Sequence, residues 1–186
     1  MPLAAGTHTF GPENATLSVR TGRSGAAAKA GHDLLLHVTV WEATLDVAEG
    51  GAEVRVELDA DSTSFRVREG TGGMQALGDD DKANIEQTIN DEVLRRMTIG
   101  FHSTAVEIAG GGDVLHVQGE LTLAAASRPV AFDVTVGADG SLRAAIKIKQ
   151  TEWGIKPYSA LFGALKVADE VEIDVSAAGA PADQSR

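Results

Sequence analysis

Histidine side chains are the first candidates for chemistry in this sequence, because an imidazole can act as a general base or as a metal ligand. The five histidines are His8, His32, His37, His102 and His116. His32 and His37 are five residues apart, so on one continuous strand they point to opposite faces. His102 and His116 fall on neighbouring predicted strands without lying opposite each other. Because no pair has the spacing of a metal site, we predict no metal and no cofactor.

Other reactive side chains form no clearer catalytic pattern. Asp59 and Asp61 share a strand face, which could serve acid–base chemistry but is more typical of solvated carboxylates. The acidic residues 79–81 lack the alternating ligands of a calcium loop, and the glycine-rich residues 70–73 lack the lysine of a phosphate loop. The chain has no cysteine. We therefore predict a protein that is not an enzyme and has no catalytic residues, and we interpret His32 as bonding turn backbone groups.

The aromatic side chains remain, and their chemistry is that of an apolar binding site. Residues 150–166 contain one of the two tryptophans and the only tyrosine, and we interpret this stretch as a connection that folds over one end of a sheet. A lipid site typically combines apolar walls with a few convergent polar groups, which Lys156 and Tyr158 would offer to a head group. Each aromatic residue could equally be core filler. The predicted ligand-binding residues are Trp41, Phe65, Phe101, Phe132, Trp153, Lys156, Tyr158 and Phe162.

The elements that must position these residues are mostly strands. Apolar and polar residues alternate along about eight segments, as in an antiparallel sheet with one buried face. Glycine-rich residues 110–113 and 138–140 are predicted hairpin turns, and residues 1–12 are predicted to be a lead-in to the first strand. On the strand that begins near residue 99, unbroken alternation predicts that Phe101 and Val106 point to opposite faces.

One segment has helical periodicity instead. Ile85, Ile89 and Val93 recur four residues apart after three consecutive aspartates, and acidic residues stabilise a helix at its N-terminus. The pattern predicts one helix over residues 79–96. Its narrow apolar stripe suits a helix that lies across one end of a sheet.

A long sheet with one apolar face tends to close, because closure removes its exposed edges. We therefore predict an all-β fold with one main helix, an antiparallel β-barrel of about eight strands. Small inward residues such as Ala43, Gly119 and Ala144 would leave room for a cavity, although a filled core would give the same pattern. Residues 1–176 are predicted to form a single domain, and residues 177–186 a disordered tail.

Charge and composition limit the partners. The chain has 27 acidic and 16 basic residues, a formal net charge of -11, which argues against general electrostatic binding to nucleic acid or an anionic membrane. No segment approaches the apolar length that spans a bilayer, so no stable membrane insertion is expected. The N-terminal residues lack the features of a secretory signal, and we expect a cytoplasmic location. A homodimer is compatible with this composition.

Several segments follow one another in an order that carries further information. They are residues 31–36 (GHDLLL) before a Trp-bearing strand, 58–65 (LDADSTSF), 99–103 (IGFHS), 118–123 (QGELTL), 128–130 (RPV), 153–156 (WGIK) and 169–171 (DEV). In this order and spacing, over residues 7–176, the chain resembles the YceI-like family of lipocalin-like antiparallel barrels. The resemblance implies an elongated interior that holds a long apolar molecule, typically a polyisoprenoid or quinone-like lipid.

The resemblance and the aromatic residues together lead to a functional hypothesis. We expect non-enzymatic binding, transport or storage of a long-chain apolar lipid inside the barrel. Two alternatives stay open on the residues alone. One is a barrel enzyme that uses a histidine or carboxylate on a small apolar substrate, and the other is a packed barrel that binds a protein partner through its acidic surface.

Overall fold

The computed structural model describes residues 4–51 and 53–179, and one antiparallel sheet dominates it. The strands are β1 (Gly6–Phe10), β2 (Ala15–Ser24), β3 (His32–Val38), β4 (Trp41–Val47), β5 (Val54–Ala60), β6 (Phe65–Gly72), β7 (Ile99–Ala109), β8 (Val114–Leu123), β9 (Ala126–Val136), β10 (Leu142–Lys149), β11 (Ser159–Ala160) and β12 (Leu165–Ala177). The strand order is β1-β4-β5-β7-β8-β9-β10-β12-β2-β3-β6, and the short β11 pairs with β12. The predicted fold class, a lipocalin-like antiparallel barrel with one main helix, is confirmed.

Three short connections make this sheet curl on itself. β1 and β2, β3 and β4, and β5 and β6 are consecutive in the chain, yet the members of each pair belong to opposite ends of the strand order. Only residues 39–40 separate β3 from β4. Because consecutive residues advance by at most ~3.6 Å, Val38 and Trp41 lie within about 11 Å of each other. The two ends of the sheet must therefore lie side by side at this corner of the barrel.

The same connections explain why the strand order contains eleven strands where the sequence predicts about eight. β3 pairs with β2 and β6 on one side of the corner, and β4 pairs with β1 and β5 on the other. Each of the three consecutive pairs thus behaves as one long strand that is bent at the corner. Counting each bent pair once reduces eleven strands to eight, so the predicted number describes the barrel with its bends ignored.

A small hydrogen-bonded group holds this corner, and we call Thr39, Val40, Asp61 and Ser64 the corner cluster. The Thr39 N–H donates to the Ser64 carbonyl (3.0 Å), and the Asp61 N–H donates to the Val40 carbonyl (2.9 Å). The Ser64 hydroxyl accepts from the Val40 N–H (3.1 Å) and donates to the Asp61 carbonyl (2.8 Å). Ser64 is 3% exposed, so its hydroxyl forms these bonds in the buried part of the corner, where losing a hydrogen bond is costly.

The helical segment lies where the spacing of apolar residues predicts it. α1 (Asp79–Thr88) continues into a π-helical turn (Ile89–Val93), so the helix ends three residues before the predicted 96. The Gly78 N–H donates to the Asp81 carboxylate (3.0 Å) at its start. On its flank, the Val67 N–H of β6 donates to the Glu86 carboxylate (2.9 Å). Because β6 ends the strand order, α1 covers a sheet edge that would otherwise expose backbone donors.

The structure corrects two predictions about strands. The predicted lead-in contains β1, which pairs with β4 from Gly6↔Val47 to Phe10↔Ala43; its single large apolar residue gave no alternation to recognise. In β7, the register shifts between Ser103 and Ala105, so the strand carries an extra residue. Val106 therefore lies opposite the buried Val117 and shares the inward face with Phe101. A bulge leaves no mark in the apolar pattern.

The predicted C-terminal tail is described only in part. β12 reaches Ala177, the first residue of that predicted tail. Residues 180–186 lie outside the described residues.

We expect the Ser64→Ala substitution to destabilise the fold, because it removes a buried hydroxyl that bonds the Val40 N–H and the Asp61 carbonyl of the corner cluster. The free energy of unfolding should fall by about 1–3 kcal/mol, measured by urea denaturation. The control is Ser141→Ala, which removes a hydroxyl that bonds the Asp139 carboxylate (2.6 Å) in an exposed turn. Equal losses for the two variants would contradict the role assigned to the corner cluster.

We expect Asp61 to make the stability of the corner depend on pH. The backbone N–H and the hydroxyl of Thr63 both donate to its carboxylate (2.8 and 2.7 Å), and these bonds lower the pKa of Asp61 below its ordinary 3.8. A lowered pKa means a stabilisation that is present above that value and is lost as the pH falls through the folded-state pKa. The unfolding free energies of the wild type and Asp61→Asn should therefore differ at pH ~6 and converge in strong acid. A difference that stays constant with pH contradicts this account.

Candidate functional site

The barrel encloses a cavity of about 450 Å³, which is in the size range of small-molecule sites. Most of its walls are side chains that alternate inward along the strands. α1 and the π-helical turn that follows it complete the wall through Ile85, Ile89 and Val93. Strand residues in the lining include Leu17, Val19, Leu34, Leu36, Leu45, Val56, Leu58, Ile99, Leu121, Val130, Val134, Ile146, Ile148, Val171 and Ile173.

Four of the predicted ligand-binding residues, Phe65, Phe101, Phe132 and Tyr158, line this cavity. Phe101 and Phe132 pack against each other, with ring centroids 5.3 Å apart and planes tilted by 56°, a geometry that aromatic pairs favour. Gly119 lies on β8 between their two strands, and a Cβ there would overlap the Phe101 ring and the His102 carbonyl oxygen. Gly119 thus makes room for Phe101 and not, as predicted, for the cavity.

The other four predicted residues lie outside the lining of the cavity. Trp41 and Trp153 are buried in the core, and the Trp153 Nε1–H donates to the Leu121 carbonyl (2.8 Å). Lys156 and Phe162 are exposed. Aromatic content marks which residues are buried or unusual, but it does not say on which side of a barrel wall a ring lies.

Sequence reasoning missed several lining residues. Phe10 lines the cavity from the strand that was predicted to be a lead-in. Ile85 and Ile89 were recognised as the apolar stripe of the helix but were not assigned to the site. Gln150 is a buried polar residue in the lining, and its Nε2–H donates to the Ala168 carbonyl (3.0 Å). A glutamine at the end of a strand carries no sequence signal for such a role.

The cavity is almost without charge. Within the described part of the chain, its lining includes no carboxylate, histidine or lysine, and Arg143 is its one charged residue. The remaining polar groups are hydroxyls and amides, from Thr21, Thr44, Asn84, Thr88, Gln150 and Tyr158. Such a surface can bury an apolar chain, but it offers no aspartate, glutamate or histidine for proton transfer.

The histidines lie away from the cavity. The His32 Nε2–H donates to the Gln75 carbonyl (2.7 Å), so this side chain bonds loop backbone as the sequence interpretation expects. His37 accepts from the Arg68 Nε–H (3.2 Å), and partial burial together with the Arg68 charge lowers the pKa of His37.

His116 is on the outer surface of the barrel, where its Nδ1–H donates to Asp133 Oδ1 (2.6 Å). This hydrogen bond and the Asp133 charge raise the pKa of His116. In residues 4–51 and 53–179, no three metal-ligating side chains come together in a group that could hold an ion. The described helices include none with the length and apolar character needed to cross a bilayer.

The wall of the barrel is incomplete between β9 and β10. The two strands pair only from Leu142↔Val136 to Ala144↔Val134, although both continue well beyond this point. Over the rest of their described length they form no ladder with each other, and four consecutive residues of β10, 143–146, line the cavity. The sheet therefore opens sideways here.

The side chains at this opening are apolar but only half-buried. Val130, Phe132 and Ile146 line the cavity and are partly exposed. At the far end of the gap, the Arg128 Nε–H of β9 donates to the Glu152 carbonyl (3.0 Å) in the turn Gln150–Trp153. The hairpin between β9 and β10 limits the gap at one end, and this turn limits it at the other.

Solved structures from three bacteria share this fold. BcnA from Burkholderia cenocepacia is 18% identical, with a TM-score of 0.62, over 87% of this chain and 94% of its own. A polyisoprenoid binding domain from Saccharophagus degradans, implicated in plant cell wall breakdown, is 13% identical, with a TM-score of 0.57, over 94% and 99%. A YceI protein from Campylobacter jejuni is 15% identical, with a TM-score of 0.52, over 78% and 85%. At these identities the likeness shows the fold alone.

The sequence itself gives the family. No curated protein matches the chain. The YceI-like domain, however, matches residues 14–178, a range that contains every strand from β2 to β12 together with the helix. The match thus covers most of the chain and the whole wall of the cavity except β1. The chain belongs to the YceI-like family, as the order of its segments predicts.

Proposed function

We propose that the protein binds a long-chain apolar lipid of the polyisoprenoid or quinone-like class inside the barrel, and carries or stores it without transforming it. The observation that supports this most directly is the cavity of about 450 Å³ with walls of aliphatic and aromatic side chains. Each methylene group that leaves water for such a cavity contributes about 0.8 kcal/mol to binding. Membership of the YceI-like family, and a structural neighbour named as a polyisoprenoid binding domain, agree with this proposal.

The character of the lining favours a binding protein over an enzyme. Catalysis by a titratable group requires that group in the pocket, and the described lining holds neither a carboxylate nor an imidazole. His116 and Asp133, which do interact closely, are exposed on the outer surface. A barrel that acted only through its surface would need no interior space, so the cavity also favours lipid binding over the protein-partner alternative.

The lining suggests how a lipid is oriented. Phe65, Phe101 and Phe132 would contact the apolar chain, because they lie among aliphatic residues of the cavity wall. Tyr158 is in the lining and is also 44% exposed, so the cavity reaches the surface beside it. Its hydroxyl, together with the buried amide of Gln150, would bind the polar end of the lipid. Lys156 is exposed two residues before Tyr158, and it would contact a head group that projects from the mouth.

Native mass spectrometry of the purified protein tests this function directly. We expect a stoichiometric apolar molecule of several hundred daltons, which solvent extraction would release for identification. An apo mass that persists after incubation with polyprenyl alcohols and quinones would overturn the proposal.

We expect Ala144→Phe to weaken lipid binding, because Ala144 is half-buried in the cavity wall and a ring there would occupy space that the lipid needs. Overfilling of this kind costs about 1–3 kcal/mol, so affinity for a polyprenyl alcohol should fall roughly tenfold or more. Ala131→Phe is the matched control, because Ala131 is exposed on β9 and outside the lining. Equal affinities for the two variants would contradict the cavity as the binding site.

A further inference from the structure

The hairpin formed by β11 and β12 presents an apolar tip to solvent. Its turn, Leu161–Gly163, places Phe162 fully exposed and Leu161 58% exposed. Both residues have left-handed backbone conformations, with φ of 54° and 52°. That conformation is unfavourable for a residue with a bulky side chain, so the fold holds this tip in place at an energetic cost.

Backbone hydrogen bonds join this hairpin to itself and to the rest of the barrel. The Val167 N–H donates to the Tyr158 carbonyl (2.9 Å) at the base of the hairpin. Beside the tip, the Ala27 N–H donates to the Ala164 carbonyl (2.8 Å). The exposed apolar side chains are therefore displayed by an ordered hairpin that is joined to the segment after β2.

The charge around this tip is opposite to that of the whole chain. Residues 153–168 and residues 21–32, which the Ala27 bond brings together, include no acidic residue. Their charged side chains, histidine apart, are basic: Arg23, Lys29, Lys156 and Lys166. Of these, Arg23 is paired with Asp33, the next residue after the second segment (3.6 Å). In the described residues, the three exposed lysines form no ion pair. The chain has a net charge of -11, but the segments around the apolar tip carry exposed lysines.

The same hairpin borders the mouth of the cavity. Tyr158 and Val167, which bond each other at its base, both line the cavity. Phe162 is four residues from Tyr158 along the chain. Whatever the tip contacts is therefore brought close to the part of the cavity that Tyr158 lines.

We propose that this hairpin docks the mouth of the barrel on the surface of a phospholipid bilayer. Phe162 and Leu161 enter the interface between head groups and acyl chains, and the lysines beside them contact lipid phosphates, an arrangement that suits peripheral binding. This rests on the proposed function, because a carrier of an apolar lipid must exchange it with a membrane and not with water. Docking of this kind is reversible and inserts no transmembrane element.

Sedimentation with lipid vesicles tests the docking of the hairpin tip. The wild type should bind vesicles made of equal parts of phosphatidylcholine and phosphatidylglycerol. The affinity of Leu161→Ser/Phe162→Ser for these vesicles should be lower by roughly tenfold or more, because the variant loses the apolar area of the tip. Ile108→Ser is the matched control. Ile108 is 47% exposed, but it lies beside the β7–β8 turn at the opposite end of the barrel.

A second pair of variants tests the basic region. Lys156→Gln/Lys166→Gln should bind the mixed vesicles roughly thirtyfold more weakly, because each lysine at an anionic surface contributes about 1 kcal/mol. Its binding to vesicles of phosphatidylcholine alone should match that of the wild type. Raising the salt concentration should weaken wild-type binding to the mixed vesicles, since the lysine contacts are screened.

The outcomes separate docking from lipid binding. Failure of the wild type to sediment, or equal binding by wild type and Leu161→Ser/Phe162→Ser, would overturn docking. A dimer in lipid-free solution that this double variant converts to a monomer would also overturn it, because the tip would then join two copies of the chain. Native mass spectrometry of Leu161→Ser/Phe162→Ser, whose two residues lie outside the cavity lining, should find bound lipid retained. If native mass spectrometry finds no lipid bound to the wild type, either as purified or after incubation with lipid, the proposed function fails regardless of the sedimentation result.

Discussion

The structure depends on the shortness of the connections that cross its corner. Residues 39–40 and 61–64 each join strands from opposite ends of the strand order, and so few residues allow only a sheet whose two ends lie together. Ser64 holds the two connections in contact through a buried hydroxyl whose partners are all backbone groups. Curling of the sheet, enclosure of the interior and the position of α1 on the β6 edge all follow from this constraint.

Enclosure then determines the chemistry of the interior. Alternation along a strand sends charged residues outward wherever apolar residues point inward, so closing the sheet concentrates aliphatic side chains around one space. The packing is not uniform. The Phe101 ring fills the space above Gly119 and packs on Phe132. The rest of the interior is an unfilled cavity that α1 helps to enclose and that is open sideways where β9 and β10 do not pair. An apolar cavity with a few hydroxyl and amide groups at its margin is the result.

Charge is distributed unevenly over the surface, which the net charge alone does not indicate. Acidic residues outnumber basic ones over the chain, yet the segments around the β11–β12 hairpin carry basic residues and an exposed phenylalanine. This hairpin shares Tyr158 and Val167 with the wall of the cavity. The apolar interior, its mouth and the apolar tip therefore follow one another along one segment, 158–167, which is the arrangement expected of a protein that exchanges lipid at a surface.

Local patterns in the sequence determined the elements, because side-chain periods of 2 and 3.6 residues are properties of single segments. They predicted most strands, the helix, the apolar interior and, through the order of short segments, the family. Only the tertiary structure decided where the strands bend at the corner and that a bulge turns Val106 inward. It also decided that Trp153 is buried in the core whereas Phe162 is exposed to solvent. Each of these depends on contacts between residues far apart in the chain. An aromatic residue has the same apolar character in a core, a cavity or a surface tip, so its type alone cannot say which place it occupies.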